Sequence, residues 1–280
     1  MAKTRRHQRS RKGVKKGVKK SSKRNNKLRT RKQRGGVPVY YETKSLIDFA
    51  TDGEIDAVLY KLRQPGTNVN MVDNNGGFTA LQLASIHNHI RVVNVLLAQP
   101  NIKVNKVDTE DNRTALLDAA EKGNTEVVKA LLAHPNILVN QPTSNNGTAL
   151  YWAAYKGRAE VVKALLSQPG IEVNLPNSNG DTPLLIASEY GMIEVVKALL
   201  SQPGIEVNQA NSDGNTPLLV AVRDGRIEVV KALLRQPGID VNQANHNGET
   251  PLAVAGIWGN GELVTVIDTA IKAREVVGGH

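Results

Sequence analysis

The chain has 280 residues, of which 40% are hydrophobic and only 4% aromatic, so a folded core must be built from aliphatic side chains. The absence of cysteine excludes disulfide bonds and thiolate metal sites, and it favours an intracellular protein. No apolar run approaches the roughly 18 residues that cross a bilayer, and the N-terminus lacks the apolar region of a secretory signal.

Residues 1–36 form a strongly basic arm, with 17 Lys/Arg and no acidic residue. The other 244 residues hold 19 Lys/Arg and 26 Asp/Glu, so an acidic body with a net charge of −7 follows the arm. Because the arm has almost no large apolar residues, it cannot offset the entropy cost of folding, and we expect it to be disordered. Gly35, Gly36 and Pro38 predict a linker over residues 37–43.

The composition of the arm fits three functions. These are a nuclear address read by an import receptor, salt-sensitive and sequence-blind binding of nucleic acid, and a solubilising or membrane-surface tail. The arm has no aromatic residue to stack on bases, which argues against specific recognition of single strands. The candidate targeting or nucleic-acid-binding residues are Arg5, Arg6, Lys15, Lys16, Lys19, Lys20, Arg29, Arg31 and Lys32.

The body of the chain is repetitive. The phrase VVKALL begins at Val127, Val161, Val195 and Val229, each copy 34 residues after the last, and the dipeptide Val-Asn recurs in step. A fixed period of this length predicts stacked supersecondary units instead of one closed core.

Each unit is predicted to begin with two short helices, as the unit from Asp181 illustrates. Thr182 precedes an apolar-periodic run, and Pro183 suits the first helical position, so a first helix is expected to begin here. Gly191 is expected to end it, because glycine tolerates the left-handed conformation. The apolar stripe within Val195–Leu200 then predicts a second helix with one buried face.

The end of the unit is predicted to be a loop. Gln202, Pro203 and Gly204 break the second helix, and Ile205–Asn208 reads as a short extended piece. The turn-forming residues 211–214 follow, so a hairpin-like loop should project from each helix pair.

Two helices and a hairpin ending in Val-Asn resemble the ankyrin repeat. The family's Thr-Pro-Leu opening is literal at Thr182–Leu184, Thr216–Leu218 and Thr250–Leu252, and it is Thr-Ala-Leu at Thr79–Leu81, Thr114–Leu116 and Thr148–Leu150. The resemblance implies an all-α repeat solenoid with β-hairpin loops over residues 44–277. Its expected parts are an N-terminal cap at 44–73, repeats at about 74–108, 109–142, 143–176, 177–210 and 211–244, and a C-terminal cap at 245–277.

The chain departs from the family in two respects, the length of its units, which are one or two residues longer near Gln-Pro-Gly, and one side chain of the first helix. The usual histidine after Thr-Pro-Leu, which orients hydrogen bonds between units, is replaced by Gln82, Leu117, Tyr151, Leu185, Leu219 and Ala253. Some inter-repeat bonding must therefore be made otherwise or lost.

For the Val-Asn asparagines and for Trp152, the resemblance implies a structural role. The resemblance implies a hydrogen bond within each loop for the Val-Asn asparagines, with hydroxylation as the alternative; these are Asn140, Asn174, Asn208 and Asn242. Trp152 falls on a position that is normally a buried leucine, so we expect it in the core.

Ankyrin-repeat proteins are overwhelmingly protein-binding scaffolds, and the resemblance implies this function here. Core positions repeat almost unchanged, whereas turn tips and exposed first-helix positions vary from unit to unit, and in the family these line the concave side. Aromatic residues and arginine carry most interface energy. The candidate residues for binding an unidentified protein are Tyr155, Lys156, Glu189, Tyr190, Arg223, Asp224 and Trp258.

No catalytic constellation, nucleotide-binding loop or zinc-spaced cluster is present, so we expect no enzyme activity, no cofactor and no metal. We expect an intracellular monomer, in the nucleus or the cytoplasm. A second hypothesis makes the arm a nucleic-acid or nucleolar binder, with the repeats as a spacer. A third, by resemblance to ankyrin proteins of large DNA viruses and intracellular bacteria, is a host-directed effector acting in the host-cell nucleus.

Overall fold

The computed structural model describes residues 39–278, which fold into fifteen α-helices joined by turns. The first, α1 (Val39–Thr43), stands in the segment that the sequence assigns to a linker, and Tyr41 stacks on Tyr60 of α3 with ring centroids 5.0 Å apart. The other helices are α2 (Leu46–Asp52), α3 (Ile55–Leu62), α4 (Ala80–Ile86), α5 (Ile90–Leu97), α6 (Ala115–Lys122), α7 (Thr125–Leu132), α8 (Ala149–Tyr155), α9 (Ala159–Leu166), α10 (Pro183–Glu189), α11 (Ile193–Leu200), α12 (Pro217–Arg223), α13 (Ile227–Leu234), α14 (Pro251–Ile257) and α15 (Gly261–Gly278).

Helices α2 to α15 form seven consecutive pairs, and the pairs stack in chain order. First helices pack on first helices (α2, α4, α6, α8, α10, α12, α14), and second helices pack on second helices (α3, α5, α7, α9, α11, α13, α15). One aliphatic core runs through the stack, from Leu46 in α2 to Ile267 in α15. The predicted repeat solenoid is therefore confirmed, because each unit buries its apolar stripe against its neighbours.

Threonine caps set the start of every first helix from α4 onward. Thr182 is 2% exposed, and its hydroxyl accepts a hydrogen bond from the backbone N–H of Leu185 at 3.1 Å, while Pro183 occupies the first turn, as predicted. The same cap recurs at Thr79, Thr114, Thr148, Thr216 and Thr250.

Left-handed residues separate the two helices of each unit. Gly191 has φ +72°, as the sequence predicts, and a Cβ added there would lie 2.8 Å from Cδ of Arg226. In one unit Asn88 takes this place with φ +60°. The backbone therefore reverses at a fixed phase, which keeps the second helix of every unit on the same side of the stack.

The extended piece predicted at Ile205–Asn208 is wrong, because the chain turns there. Within residues 39–278 no strands form, and one isolated antiparallel bridge joins Val72 to Thr79. Loop backbone groups that would pair with a strand bond elsewhere. The N–H of Glu206 donates to Oδ1 of Asn174 at 3.1 Å.

The Val-Asn asparagines connect neighbouring units. Nδ2 of Asn174 donates to the carbonyl of Gly204 at 2.8 Å, and its Oδ1 accepts from Glu206. The expected bond within the asparagine's own loop is therefore wrong, because both partners lie in the next unit. The pattern repeats at Asn70, Asn105, Asn140 and Asn208.

The missing family histidine is replaced in two ways. In two units a different polar side chain makes the bond to the next unit. Nε2 of Gln82 donates to the carbonyl of Arg113 at 2.8 Å, and the hydroxyl of Tyr151 accepts from Nδ2 of Asn177 at 2.9 Å. In three other units the position is a buried leucine, which packs in the core instead: Leu117, Leu185 and Leu219.

Candidate functional site: the turn face

Turn tips and first helices form one continuous surface, which we name the turn face. It comprises the six residues before each cap threonine together with the fourth, seventh and eighth residue after that threonine, in the units capped by Thr79, Thr114, Thr148, Thr182, Thr216 and Thr250. Consecutive tips are joined by backbone hydrogen bonds. The N–H of Ser178 donates to the carbonyl of Asn145, and that of Ser212 to the carbonyl of Asn179, each at 2.9 Å.

The structure places every predicted partner-binding residue on the turn face. Each occupies the seventh or eighth position after its cap threonine, at the end of α8, α10, α12 or α14. They are Tyr155 and Lys156, Glu189 and Tyr190, Arg223 and Asp224, and Trp258. Their role in binding stays a prediction.

Aromatic side chains from two units meet at the centre of the turn face. The rings of Tyr155 and Tyr190 are edge-to-face with centroids 4.9 Å apart, and Trp152 contacts Tyr155 with centroids 5.9 Å apart. The ammonium of Lys156 lies 4.5 Å from the centroid of the Tyr155 ring. Binding surfaces favour such rigid rings, because they lose little entropy on contact.

Trp152 is half-buried: it packs against the aliphatic core, where the sequence predicts it, but its ring also reaches this surface. The equivalent residue of the next unit, Ile186, is 5% exposed. The larger indole lies against the turn tip over Gly147, where an added Cβ would be 2.7 Å from Trp152 Nε1. The missing side chain at Gly147 therefore makes room for the edge of the ring that carries Nε1.

Arg113 organises a charged cluster beside the aromatic rings. Its Nε donates to Oδ1 of Asp118 at 2.7 Å, its NH2 group pairs with Glu121, and its guanidinium carbon lies 5.5 Å from the centroid of the Trp152 ring. Lys156 of the next unit comes within 3.5 Å of Glu121. The cluster thus joins two units through both ionic and aromatic contacts.

Asp118 is a functional candidate that the sequence prediction missed. It is 5% exposed, and its Oδ2 is buried without a hydrogen-bond partner in residues 39–278. Burial raises the pKa of Asp118 from 3.8 to about 6, although the bond and charge of Arg113 act to lower it. The sequence feature that could have indicated it is an acidic residue at the fourth position after the cap threonine, where the other units carry an aliphatic residue or Trp152.

The C-terminal half of the turn face combines a polar cleft with exposed apolar residues. The guanidinium of Arg223 lies 3.6 Å from Glu189 and 3.3 Å from Asp224. Beside Arg223 is a cleft of about 340 Å³, also lined by Asp213, Asn215, Asn245, His246, Asn247 and Glu249. At the end of α14, Ile257 is 75% exposed and Trp258 is 69% exposed.

Comparison with known proteins identifies the family. A model described as ankyrin repeats (3 copies) matches residues 102–177, 137–211, 169–245 and 206–270, and one described as ankyrin repeats (many copies) matches residues 46–97. The chain belongs to the ankyrin-repeat family. Ankyrin repeats support a function as a protein–protein interaction scaffold, and they imply protein partners.

A solved ankyrin-repeat structure has the same fold. The crystal structure of EF0377, an ankyrin repeat protein, superposes with a TM-score of 0.63 at 26% sequence identity. The match covers 67% of this chain and 96% of that one. No curated protein matches the chain. The likeness therefore supports the repeat architecture.

The ankyrin repeats also carry surfaces with structural roles. On the second helices, exposed pairs such as Glu160 and Lys163 lie 2.8 Å apart, three residues apart in sequence as predicted. A depression of about 500 Å³ lies among the loops around Asn105, which already bonds to the next unit. In both features the side chains are nearly the same from unit to unit, whereas those of the turn face differ.

The candidate residues of the arm, Arg5 to Lys32, lie outside the described part of the chain. In that part, no helix has the length and apolar character needed to span a membrane. The same residues contain no group of three or more His, Asp or Glu placed to hold a metal ion.

Proposed function

We propose that this ankyrin-repeat chain is an intracellular, non-enzymatic scaffold that binds a protein partner through the turn face. The observation that supports this is the contact between varied side chains of successive units. Tyr155 meets Tyr190, Glu189 meets Arg223, and the row ends at Trp258, which is 69% exposed. Tyrosine, tryptophan and arginine are the residues most enriched among binding hot spots.

Capture of partners by the full-length chain tests the proposal. A variant with Tyr155→Ala, Tyr190→Ala and Trp258→Ala should lose most of the proteins recovered by proximity labelling and pull-down, because it removes the aromatic anchors. Urea unfolding should first show that this variant remains folded.

A control variant changes the other side of the stack. Lys129→Ala, Lys163→Ala and Lys197→Ala remove exposed lysines of the second helices, which are 57%, 56% and 59% exposed. This variant should recover the same partners as the parent. Unchanged recovery by the aromatic variant, or equal losses from both variants, would count against the turn face.

The arm supports a second candidate function, nuclear targeting or non-specific binding of nucleic acid. Its 17 Lys/Arg without any acidic residue favour contact with phosphates or with an import receptor. Replacement of Lys15, Lys16, Lys19 and Lys20 by serine tests both roles. If the arm binds duplex DNA, the variant should bind more weakly and with a shallower dependence on salt.

Cellular location separates the two roles of the arm. If the four-serine variant leaves the nucleus but the parent shows no salt-dependent DNA binding, the arm is an address. If both properties remain unchanged, neither role belongs to these four lysines.

A further inference from the structure

The turn face carries all the net negative charge of the repeat domain. Of the 26 Asp/Glu and 19 Lys/Arg between residues 39 and 278, eleven acids and four bases belong to the turn face, a net charge of −7; nine of these acids are exposed or partly exposed, and Asp108 and Asp118 are buried. The other fifteen acids are balanced by fifteen bases. A domain whose average charge is mildly acidic therefore has one strongly acidic surface, and this surface attracts cations over a distance.

Two arginines of the turn face already have acidic neighbours. Arg113 pairs with Asp118 and Glu121, and Arg223 lies close to Glu189 and Asp224. The positive charge of these two arginines is therefore compensated by carboxylates of the protein itself, and the remaining net charge of the turn face is negative.

Exposed carboxylates that could bind a cation from a partner line the polar cleft. Asp213 and Glu249 are exposed and line the cleft, whose volume of about 340 Å³ is large enough for an arginine or lysine side chain. Glu249 also accepts a hydrogen bond from Nδ2 of Asn245 at 2.8 Å, which fixes one of its oxygens in place. A carboxylate held in this orientation can accept a second hydrogen bond from a cationic side chain of a partner.

Apolar and aromatic surface belongs to the same unit as Glu249, at the end of its first helix α14. Ile257 and Trp258 are 75% and 69% exposed, and the face of an indole ring attracts arginine and lysine. The surface thus favours positive charge combined with apolar contact, whereas a nucleic acid would be repelled.

We propose that the turn face binds an extended, basic segment of a partner protein, with an arginine or lysine in the cleft at Asp213 and Glu249 and a neighbouring side chain on Trp258. This inference rests on the scaffold function proposed above and specifies its partner. The segment is extended because the turn tips form a row, joined by backbone bonds from one unit to the next. Its specificity comes from charge and from the position of the exposed indole.

A defined peptide tests this directly with the full-length chain. The probe is a fluorescein-labelled peptide of twelve residues in which arginine alternates with serine, and its counterpart carries glutamate in place of arginine. Fluorescence anisotropy should show binding of the arginine peptide. Any binding of the glutamate peptide belongs to the 17 Lys/Arg of residues 1–36 and should be the same in all variants of the turn face. The combined variant Asp213→Asn and Glu249→Gln should weaken binding about ten-fold, the size expected for two lost surface ion pairs.

The matched control changes charge by the same amount on the second helices. Glu160→Gln and Glu194→Gln also raise the net charge by two, at residues 70% and 65% exposed. This control should change the dissociation constant by less than about two-fold, since the lost charges lie away from the probe. Equal weakening of arginine-peptide binding by the two double variants, or no weakening by Asp213→Asn and Glu249→Gln, would overturn the inference.

The outcomes also separate this inference from the scaffold proposal. If the triple aromatic variant loses its captured partners while Asp213→Asn and Glu249→Gln leave both peptide and partner binding intact, the scaffold function stands and the basic segment is refuted. If the aromatic variant keeps its partners, the scaffold proposal fails, whatever the peptide does.

Discussion

Replacement of Asn174 by alanine is expected to weaken the coupling between two neighbouring repeats. The side chain donates to the carbonyl of Gly204 at 2.8 Å and accepts from the N–H of Glu206 at 3.1 Å, about thirty residues further along the chain. Each such bond contributes roughly 0.5–1.5 kcal/mol net. The loop is partly exposed, so water replaces some of the lost bonding, and we expect a loss of about 2 kcal/mol in the free energy of unfolding.

Urea unfolding followed by circular dichroism measures this loss. A loss of about 2 kcal/mol should also lower the melting temperature by roughly 4–8 °C in a domain of this size. In a stack of repeats, stability is approximately a sum of unit and interface terms, so the damage falls on one interface.

Asn242 provides the matched control for Asn174. It occupies the same phase in the last Val-Asn loop, it is exposed, and no further unit of this kind follows it. Asn242→Ala should therefore cost less than about 0.5 kcal/mol. If the two variants lose the same stability, or if Asn174→Ala loses less than 0.5 kcal/mol, the asparagine row does not couple the repeats.

Three further variants test the caps, the turns and the buried carboxylate. Thr182→Ala should cost about 1 kcal/mol in urea unfolding, because it removes the cap bond, and an unchanged midpoint would contradict this. Gly191→Ala should lower the free energy of unfolding more than Gly204→Ala. Both glycines have positive φ, but only the Cβ added at position 191 would collide with Arg226. The folded pKa of Asp118, about 6, exceeds the unfolded 3.8, so its contribution to stability is complete below about pH 4 and lost as pH rises through about 6, by roughly 3 kcal/mol. Asp118→Asn should make the free energy of unfolding less dependent on pH between about 4 and 6. If the pH dependence persists in this variant, other groups cause it.

Features that depend on the local backbone were predictable from the sequence. A threonine before an apolar run caps a helix whatever surrounds it, and Thr182 does so. A glycine or asparagine at a helix end adopts the left-handed conformation for equally local reasons, as Gly191 and Asn88 show. Because the period repeats these signals, one correctly interpreted unit predicts the others.

Features that depend on the next unit were not predictable in the same way. The pattern around Asn174 shows that its side chain needs partners, but it does not show whether those partners lie in its own loop or about thirty residues further on. Trp152 illustrates the same limit, because its exposure depends on the room left at Gly147 and on Arg113 of the preceding unit. Such contacts become visible only when the units are stacked.

The charge distribution connects the repeat architecture to the proposed function. On the second helices, Glu160 and Lys163 recur with the period as a pair, so that surface stays neutral in successive units. The turn face repeats no such pair, and there the carboxylates outnumber the cations. Deviation from the repeat therefore marks the surface on which binding can be specified, and the deviations converge on Asp213, Glu249 and Trp258.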